Sequence, residues 1–466
     1  MNHTKTKKNP WLIVGVLVFC TMIATFNETI LNVALLPIAE ELSISSATAQ
    51  WLITCYMLVS TVMVPVTAFL YQSIPTKRLC FGAMGILLIG GIGCYFAPSF
   101  PILLACRMFQ AIGASMMIPI MMSTALLVAP KEMIGTVMAL CVCGTTLGPA
   151  FGPTISGVVI KLAGWRAVFI LMIVLAALAL AAIGLFIDNV AEITMPHFDV
   201  LSVALSTAGL AAFLYGVSII FSNTAEGAVV AVVGLFIVAA YVKRQMTLQQ
   251  PMLDMRPFEN PMFTLGIVMV FMSMLVNFSL NVTTPSFLQG CFGVSSMVSA
   301  LLLLPGVLLN VVSTNVSGKI VDKYGARWMI PAGFLVIAAA VWAFSRCGEQ
   351  TSLVLIIVCY CVIYQGIAFT LSPSQTTALS TLSKEMNPHG VGIVNTFMQM
   401  AAGIGSSLFG GIQAKVQTAA IANGASGTQA IADGFHGALY AAIIVAVVGF
   451  AASVVYFKVE NARKAR

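Results

Sequence analysis

The chain has 466 residues, of which 59% are hydrophobic and only 8% are charged, with a formal net charge of +7. A soluble domain carries about a quarter of its residues as charges, so this chain has too few to cover a water-facing surface, and the low hydrophobicity that disorder requires is absent. A soluble globular protein and a disordered chain are both excluded; the class is an all-α polytopic membrane protein.

A helical crossing takes about 20 mostly apolar residues, because the hydrocarbon core is about 30 Å thick. Residues 1–10 form a basic tail, and the apolar run after it is too long for a signal peptide and lacks a small-residue cleavage site, so it is expected to be an uncleaved first crossing. Apolar runs between Pro, Gly, Asn and charge then predict fourteen spans: Trp11–Ile38, Ala47–Leu70, Leu79–Ala97, Phe100–Val128, Gly135–Ile160, Ala167–Ile187, Val200–Phe221, Gly227–Val242, Phe263–Leu288, Ser299–Ser317, Trp328–Phe344, Ser352–Ser374, Val391–Gln413 and Ala438–Phe457. Twelve crossings are the obvious competitor, but deleting two of these runs would strand long apolar segments in water.

Span 1 carries Asn27, Glu28 and Asn32, and Glu28 is the single carboxylate well inside a span. A charge at that depth costs about 3 kcal/mol, so Glu28 is expected to face the protein interior or a wet cavity. Desolvation opposes the ionised carboxyl, which equips it to take up and release a proton. Span 4 carries Gln110 and Arg107, the single intramembrane base, at a depth similar to Glu28. The residues leave two readings open: a proton-exchanging acid tuned by Arg107, or a permanent Glu28–Arg107 pair tying spans 1 and 4 together.

Span 5 repeats glycine every four residues at Gly144, Gly148 and Gly152, a flat stripe that admits another helix, while Pro149 and Pro153 each delete a backbone hydrogen bond. Later spans hold uncharged polar residues, namely Asn277, Asn281, Asn310, Asn315, Gln365, Asn395 and Gln399. Each needs a partner in hydrocarbon and serves either the substrate path or helix–helix contact. Methionine (26) and phenylalanine (28) are abundant and repack easily around dissimilar apolar ligands, although lipid-facing packing explains any one of them equally well.

Lys and Arg cross a bilayer reluctantly. With both termini cytoplasmic, seventeen fall inside, from Lys5, Lys7 and Lys8 through Lys77, Arg78, Lys131, Lys243, Arg244, Arg256, Lys319, Lys323, Arg327, Lys384 and Lys458 to Arg463, Lys464 and Arg466. Four fall outside: Lys161, Arg166, Arg346 and Lys415. The asymmetry orients the chain and accounts for the positive charge without nucleic acid. Cys291 and Cys347 both fall in outer loops, a placement that permits a disulfide. His3, His197, His389 and His436 have no metal-ligand spacing, and no metal or cofactor is expected. No G-x-x-x-x-G-K-[ST] phosphate loop occurs, so uphill transport by this chain alone needs an ion gradient.

The loop after span 10 reads Gly318-Lys-Ile-Val-Asp322-Lys323-Tyr-Gly325-Ala-Arg327. The loop after span 2, which runs on to Arg78, has Ala68, Gln72, Pro75 and Lys77 at positions 250 residues before Gly318, Asp322, Gly325 and Arg327. Such weak internal repetition marks transporters built from duplicated halves; it equates spans 1–6 with spans 9–14 and leaves spans 7–8 as an insertion. The expected organisation is a six-helix bundle over 11–187, an inserted pair with its linker over 188–262, a second six-helix bundle over 263–457 and a cytoplasmic tail over 458–466.

With these motifs the chain resembles the major facilitator superfamily, in its fourteen-span drug:proton antiporter branch (EmrB/QacA type). The Gly318–Arg327 loop is similar to the G-x-x-x-D-[RK]-x-G-x-[RK] gating signature. Arg107-x-x-Gln110-x-x-Gly113 is similar to the span-4 motif, with Ala111 in place of a Gly. Gly144-x-x-x-Gly148-Pro149-x-x-Gly152-Pro153 is similar to the antiporter motif, with Pro153 in place of a Gly. Asn27-Glu28-Thr29-Ile30-Leu31-Asn32-Val33-Ala34-Leu35 is similar to D-x-T-I-x-N-V-A-L, with Asn27 at the usual Asp and an acid next door, a pattern like that of the lincomycin-exporter subgroup.

The resemblance implies a 6+2+6 facilitator fold in a bacterial plasma (inner) membrane that exports small amphipathic or lipophilic compounds in exchange for protons, with no enzymatic activity. It implies that the span-5 stripe seals one half against the other. The fixed spacing of the Gly318–Arg327 loop leads us to expect Asp322 to latch against a neighbouring helix N-terminus, and the polar side chains of Asn27, Asn32, Gln110, Asn277, Asn281, Gln365, Asn395 and Gln399 are expected along the substrate path. Membrane lipid is the remaining partner, and a monomer is compatible with everything in the sequence. Export of one endogenous metabolite or lipid-like compound, and a non-transporting membrane sensor, stand as alternatives.

Overall fold

The computed structural model describes residues 9–190, 193, 199–221, 223–249, 251–383 and 385–464. His3, Lys5, Lys7, Lys8, His197, Lys384 and Arg466, the side chains of Lys131, Arg463 and Lys464, and most of the 188–199 linker lie outside the described residues.

Among the described residues every long element is a helix. In chain order they are α1 (Pro10–Thr29), α2 (Leu35–Glu41), α3 (Ser46–Ser73), α4 (Thr76–Tyr95), α5 (Phe100–Val128), α6 (Ile134–Ala163), α7 (Ala167–Phe186), α8 (Val200–Ile219), α9 (Thr224–Thr247), α10 (Pro261–Phe292), α11 (Ser296–Tyr324), α12 (Met329–Phe344), α13 (Leu353–Leu379), α14 (Asn387–Ala422) and α15 (Gly427–Lys464). Twelve are long and apolar enough to cross a bilayer. Of the two remaining expected spans, α12 is apolar but 16 residues long, and α14 is 36 residues long but richer in Gly, Gln, Asn and Ser. The short eighth run extends to 24 residues as α9.

Span 1 departs from expectation. Its helix stops at Thr29, and residues 30–34 turn tightly, with Asn32 N–H bonded to Thr29 O (3.1 Å) and Ala34 N–H to Leu31 O (2.9 Å), before α2 begins at Leu35. Hydropathy reads this stretch as one apolar run. Hydroxyls compete for its backbone carbonyls instead: Thr25 Oγ1 donates to Thr21 O (3.0 Å) and Thr29 Oγ1 to Phe26 O (3.4 Å), a known source of helix distortion. The acid Glu28 thus sits beside a break in the helix, near the middle of the 10–41 path.

The 250-residue offset is visible in the helix starts. Ser45 and Ser295 cap α3 and α11 by accepting the N–H three residues on (3.0 and 3.3 Å), and, one residue off that spacing, Asn9-Pro10 opens α1 as Asn260-Pro261 opens α10. Packing neighbours repeat as well. Helix α1 lies against α5, α6 and α7, as α10 lies against α13, α14 and α15; α3 and α4 lie against α5, as α11 and α12 lie against α13. The two sets meet along two equivalent seams, α3 with α14 and α6 with α11. Helices α8 and α9 pair with each other, and α8 also lies against α3 and α14. Asp199 caps α8 and takes the Nε–H of Arg244 (2.8 Å), which holds its carboxyl down at about 2 and clips the two ends of this hairpin together.

The face where α1 starts and α3, α5 and α11 end is called the base below; the opposite face is the rim. Both Cys291 and Cys347 are free thiols near the rim, and Cys291 Sγ–H donates to Thr428 O (3.4 Å).

Candidate functional site

Four helices present one face each to a small central cavity of about 30 Å³. Helix α1 contributes Ala24, Thr25 and Glu28, α3 contributes Tyr56, Ser60 and Val64, α5 contributes Ser115 and Pro119, and α14 contributes Asn395, Met398 and Gln399. The spacings are three and four residues, the helical period. Glu28 is half-buried and makes no hydrogen bond to a described residue; around it are the hydroxyls and amides of both helix sets. A cavity of this size holds a few waters at most, far below the volume of a drug-sized pocket.

Arg107 points elsewhere. It is fully buried inside the first set, where Nη1–H donates to Asn27 Oδ1 (2.9 Å) and Gln110 Oε1 (3.0 Å) and Nη2–H to the Asn27 carbonyl (2.5 Å). The guanidinium lies 4.2 Å from the Tyr56 ring centroid, and the Tyr56 hydroxyl accepts from Asn27 Nδ2 (3.3 Å). Glu28 is near enough for the opposite charges to attract, yet no ion pair joins it to Arg107 among the described residues. The permanent Glu28–Arg107 pair, one of the two readings the residues left open, is absent among the described residues, and an Asn27–Arg107–Gln110 cluster stands in its place. The reason is helical geometry: adjacent residues point about 100° apart, so when Asn27 faces the arginine its neighbour faces the cavity. Asn27 and Gln110, expected along the substrate path, are wall residues that hold Arg107.

The other expected path residues divide. Asn395 and Gln399 line the cavity. Asn32 is exposed in the turn after α1; Asn281 is exposed on α10, its Nδ2–H donating to Asn277 O (2.9 Å). Gln365 is half-buried with its amide nitrogen unpartnered. Tyr56, Ser60, Thr25 and Ser115 were not singled out from the sequence. Their signal was a hydroxyl at helical spacing in an apolar span, which is too common to be read without knowing which faces meet.

The span-5 stripe also needs correction. Gly144, Gly148 and Gly152 face α1 within the same set: a Cβ at Gly144 would meet Val18 at 2.9 Å, one at Gly148 would meet Thr25 and the Phe26 nitrogen, and one at Gly152 would meet Thr29. Pro149 and Pro153 lie within the continuous α6. The part of α6 that meets the second set is nearer the base. There Gly135 and Ala139 abut Gly318, Asn315 Nδ2–H donates to Cys143 Sγ (3.0 Å), and Cys143 Sγ–H donates to Val311 O (3.3 Å). Small residues do let these two helices approach, but at a different register from the motif.

Asp322 closes this seam at the base. It accepts the backbone N–H of Gly135 (2.6 Å) and of Thr136 (2.8 Å) and the Thr136 hydroxyl (2.5 Å). These are otherwise unsatisfied donors at the start of α6, and a carboxylate there also meets the positive end of the helix dipole. Gly325, at φ 77°, ends α11 in a conformation that favours glycine. Lys323 and Arg327 extend over the rings of Tyr324 and Trp328.

The sequence matches the Major Facilitator Superfamily over residues 17–409. The chain belongs to that superfamily. Across 451 residues it is 36% identical to the lincomycin resistance protein LmrB of Bacillus subtilis, covering 93% of each chain. It is 32% identical to the protein of the same name from Listeria monocytogenes, covering 96% of this chain and 97% of the other. A multidrug resistance protein B homolog of Mycobacterium tuberculosis is 27% identical, over 84% of this chain and 74% of its own. Among solved structures, the proton:xylose symporter XylE superposes with a TM-score of 0.69 at 12% identity, covering 96% of this chain and 95% of the other, and it establishes the fold alone. This facilitator is a transporter by family and not an enzyme.

Proposed function

We propose that the protein is a proton-coupled exporter of small amphipathic or lipophilic drugs that works by alternating access. The observation that carries the reading is Glu28: a carboxylate with no hydrogen-bond donor among the described residues, facing a small cavity to which both helix sets bring hydroxyls or amides, beside a helix break and near the buried Arg107. Such a group exchanges protons with whichever face the cavity reaches, and its charge competes with or recruits substrate there. The base is the cytoplasmic face, as the Lys and Arg asymmetry requires, in a bacterial plasma membrane with both termini inside. The architecture is read as 6+2+6, with α12 and α14 completing fourteen crossings and α8–α9 as the inserted pair. The resistance proteins among its relatives support antibiotics as cargo. No cofactor is needed beyond the proton gradient.

Purified protein in liposomes with an imposed pH gradient tests this. Substrate-dependent proton movement is the expected signal, and Glu28→Gln should abolish it while leaving the unfolding midpoint in detergent unchanged. Undiminished gradient-driven transport by Glu28→Gln would remove this residue from the mechanism.

A further inference from the structure

The segment between α9 and α10 crosses the base and is unlike a solvated loop. Met252, Leu253, Asp254 and Met255 are 2%, 1%, 5% and 7% exposed. The backbone is anchored at both sides of Leu253. Its own N–H donates to Oε1 of Gln245 (3.1 Å), a fully buried residue whose Nε2–H reaches Ser202 Oγ on α8 (2.5 Å). The next N–H, of Asp254, donates to His389 Nδ1 on α14 (3.1 Å), and Arg256 pairs with the Asp254 carboxylate (3.1 Å). Anchored in this way, Leu253 stands against the α3–α14 seam: a Cβ on Gly392 would meet Leu253 Cδ1 at 2.7 Å and Ala68 Cβ at 3.2 Å.

The duplicated architecture shows how the two seams differ. At the α6–α11 seam, Asp322 supplies the closing carboxylate. The residue 250 positions earlier, at the equivalent place on α3, is Gln72, whose amide turns back to Ala68 O (3.2 Å). The α3–α14 seam has no carboxylate from α3 at that place. A buried apolar segment of the hairpin linker stands against this seam, with Leu253 beside Gly392.

We propose that Met252–Met255 is a latch: it holds the α3–α14 seam shut at the base and withdraws when the base opens, so that the α8–α9 hairpin is coupled to the transport cycle. The proposal rests on the alternating-access reading. Native Cys143 reports on it, because it is buried in the other seam and becomes reachable only if the two sets part.

The experiment measures maleimide labelling of Cys143 in purified full-length protein in detergent, residue by residue by peptide mass spectrometry, for wild type, Leu253→Ala, Leu253→Met, His389→Phe and Asp322→Asn. The expected result is labelling at least about five-fold faster in Leu253→Ala, His389→Phe and Asp322→Asn, with Leu253→Met at the wild-type rate and the deeply buried Cys20 unlabelled throughout. Acceleration by Asp322→Asn with none from Leu253→Ala or His389→Phe overturns the latch and leaves alternation standing. No acceleration in any variant overturns both. Labelling of Cys20 together with Cys143 in both latch variants signals a loosened fold and also overturns the latch.

Discussion

At Asn27 the side chain accepts from a buried guanidinium on one edge and donates to Tyr56 on the other. A buried cation that loses such an acceptor forfeits a charge-assisted bond and is left partly unsatisfied, a cost of about 1.5–3 kcal/mol. Asn27→Leu should therefore lower the unfolding midpoint in detergent, whereas Asn27→Asp, which supplies both shape and countercharge, should not; equal losses in the two would show that Asn27 merely fills space. Glu41, near the rim, has a different task. It accepts from Trp165 Nε1 (2.6 Å) and pairs with Arg166, which also donates to Ala97 O (3.2 Å), so α2 is clasped to the start of α7. The indole and guanidinium donors hold the Glu41 carboxyl below the ordinary glutamate value. A depressed folded value means that the clasp contributes fully above the ordinary value and fades as pH falls through the depressed one. Acid titration of the unfolding midpoint should show this fading in wild type and lack it in Glu41→Gln.

Two glycines on helices that meet at close range separate stability from gating. Gly148 lies where a Cβ would press on the backbone of α1 inside the first set, at 2.6 Å from Phe26 N and 2.7 Å from Met22 O. Overpacking against rigid backbone costs about 1–3 kcal/mol, so Gly148→Ala should lower the unfolding midpoint. Gly318 lies between sets, where a Cβ would meet Gly135 O and Ala139 Cβ at 2.6 Å each. Gly318→Ala should lower the midpoint less than Gly148→Ala yet expose Cys143 to thiol reagents, because the seam can part without unfolding either set. If Gly318→Ala unfolds the protein as readily as Gly148→Ala, the seam is part of one continuous core.

Across the whole molecule, the described contacts between the sets cluster toward the base: Gly135 and Thr136 with Asp322, Cys143 with Asn315, Met122 with Asn395, and Ala68 with Gly392. Closure at one face is what an alternating machine needs at one point of its cycle. A disulfide between Ala68→Cys and Gly392→Cys should form under mild oxidant, arrest transport, and release it on reduction. Transport that continues through the oxidised form would show that the α3–α14 seam does not open.

The sequence alone was enough for those features that depend on position along the chain. Hydropathy located the twelve helices long and apolar enough to cross a bilayer, because a bilayer imposes a length on any apolar run. The 250-residue echo announced the duplication that the helix starts and neighbours display. The isolation of Glu28 among apolar residues singled out the acid that the structure places on the central cavity, and the Gly318–Arg327 spacing singled out the loop whose Asp322 bonds the start of α6. Only the tertiary structure decided which faces meet. It turned Arg107 toward Asn27, set the glycine stripe of α6 against α1, assembled the cavity from unremarked hydroxyls, and drew an apolar linker segment into the base. These arrangements depend on the rotation and register of one helix against another, set by side chains far apart in the chain, and no local pattern of residues encodes them.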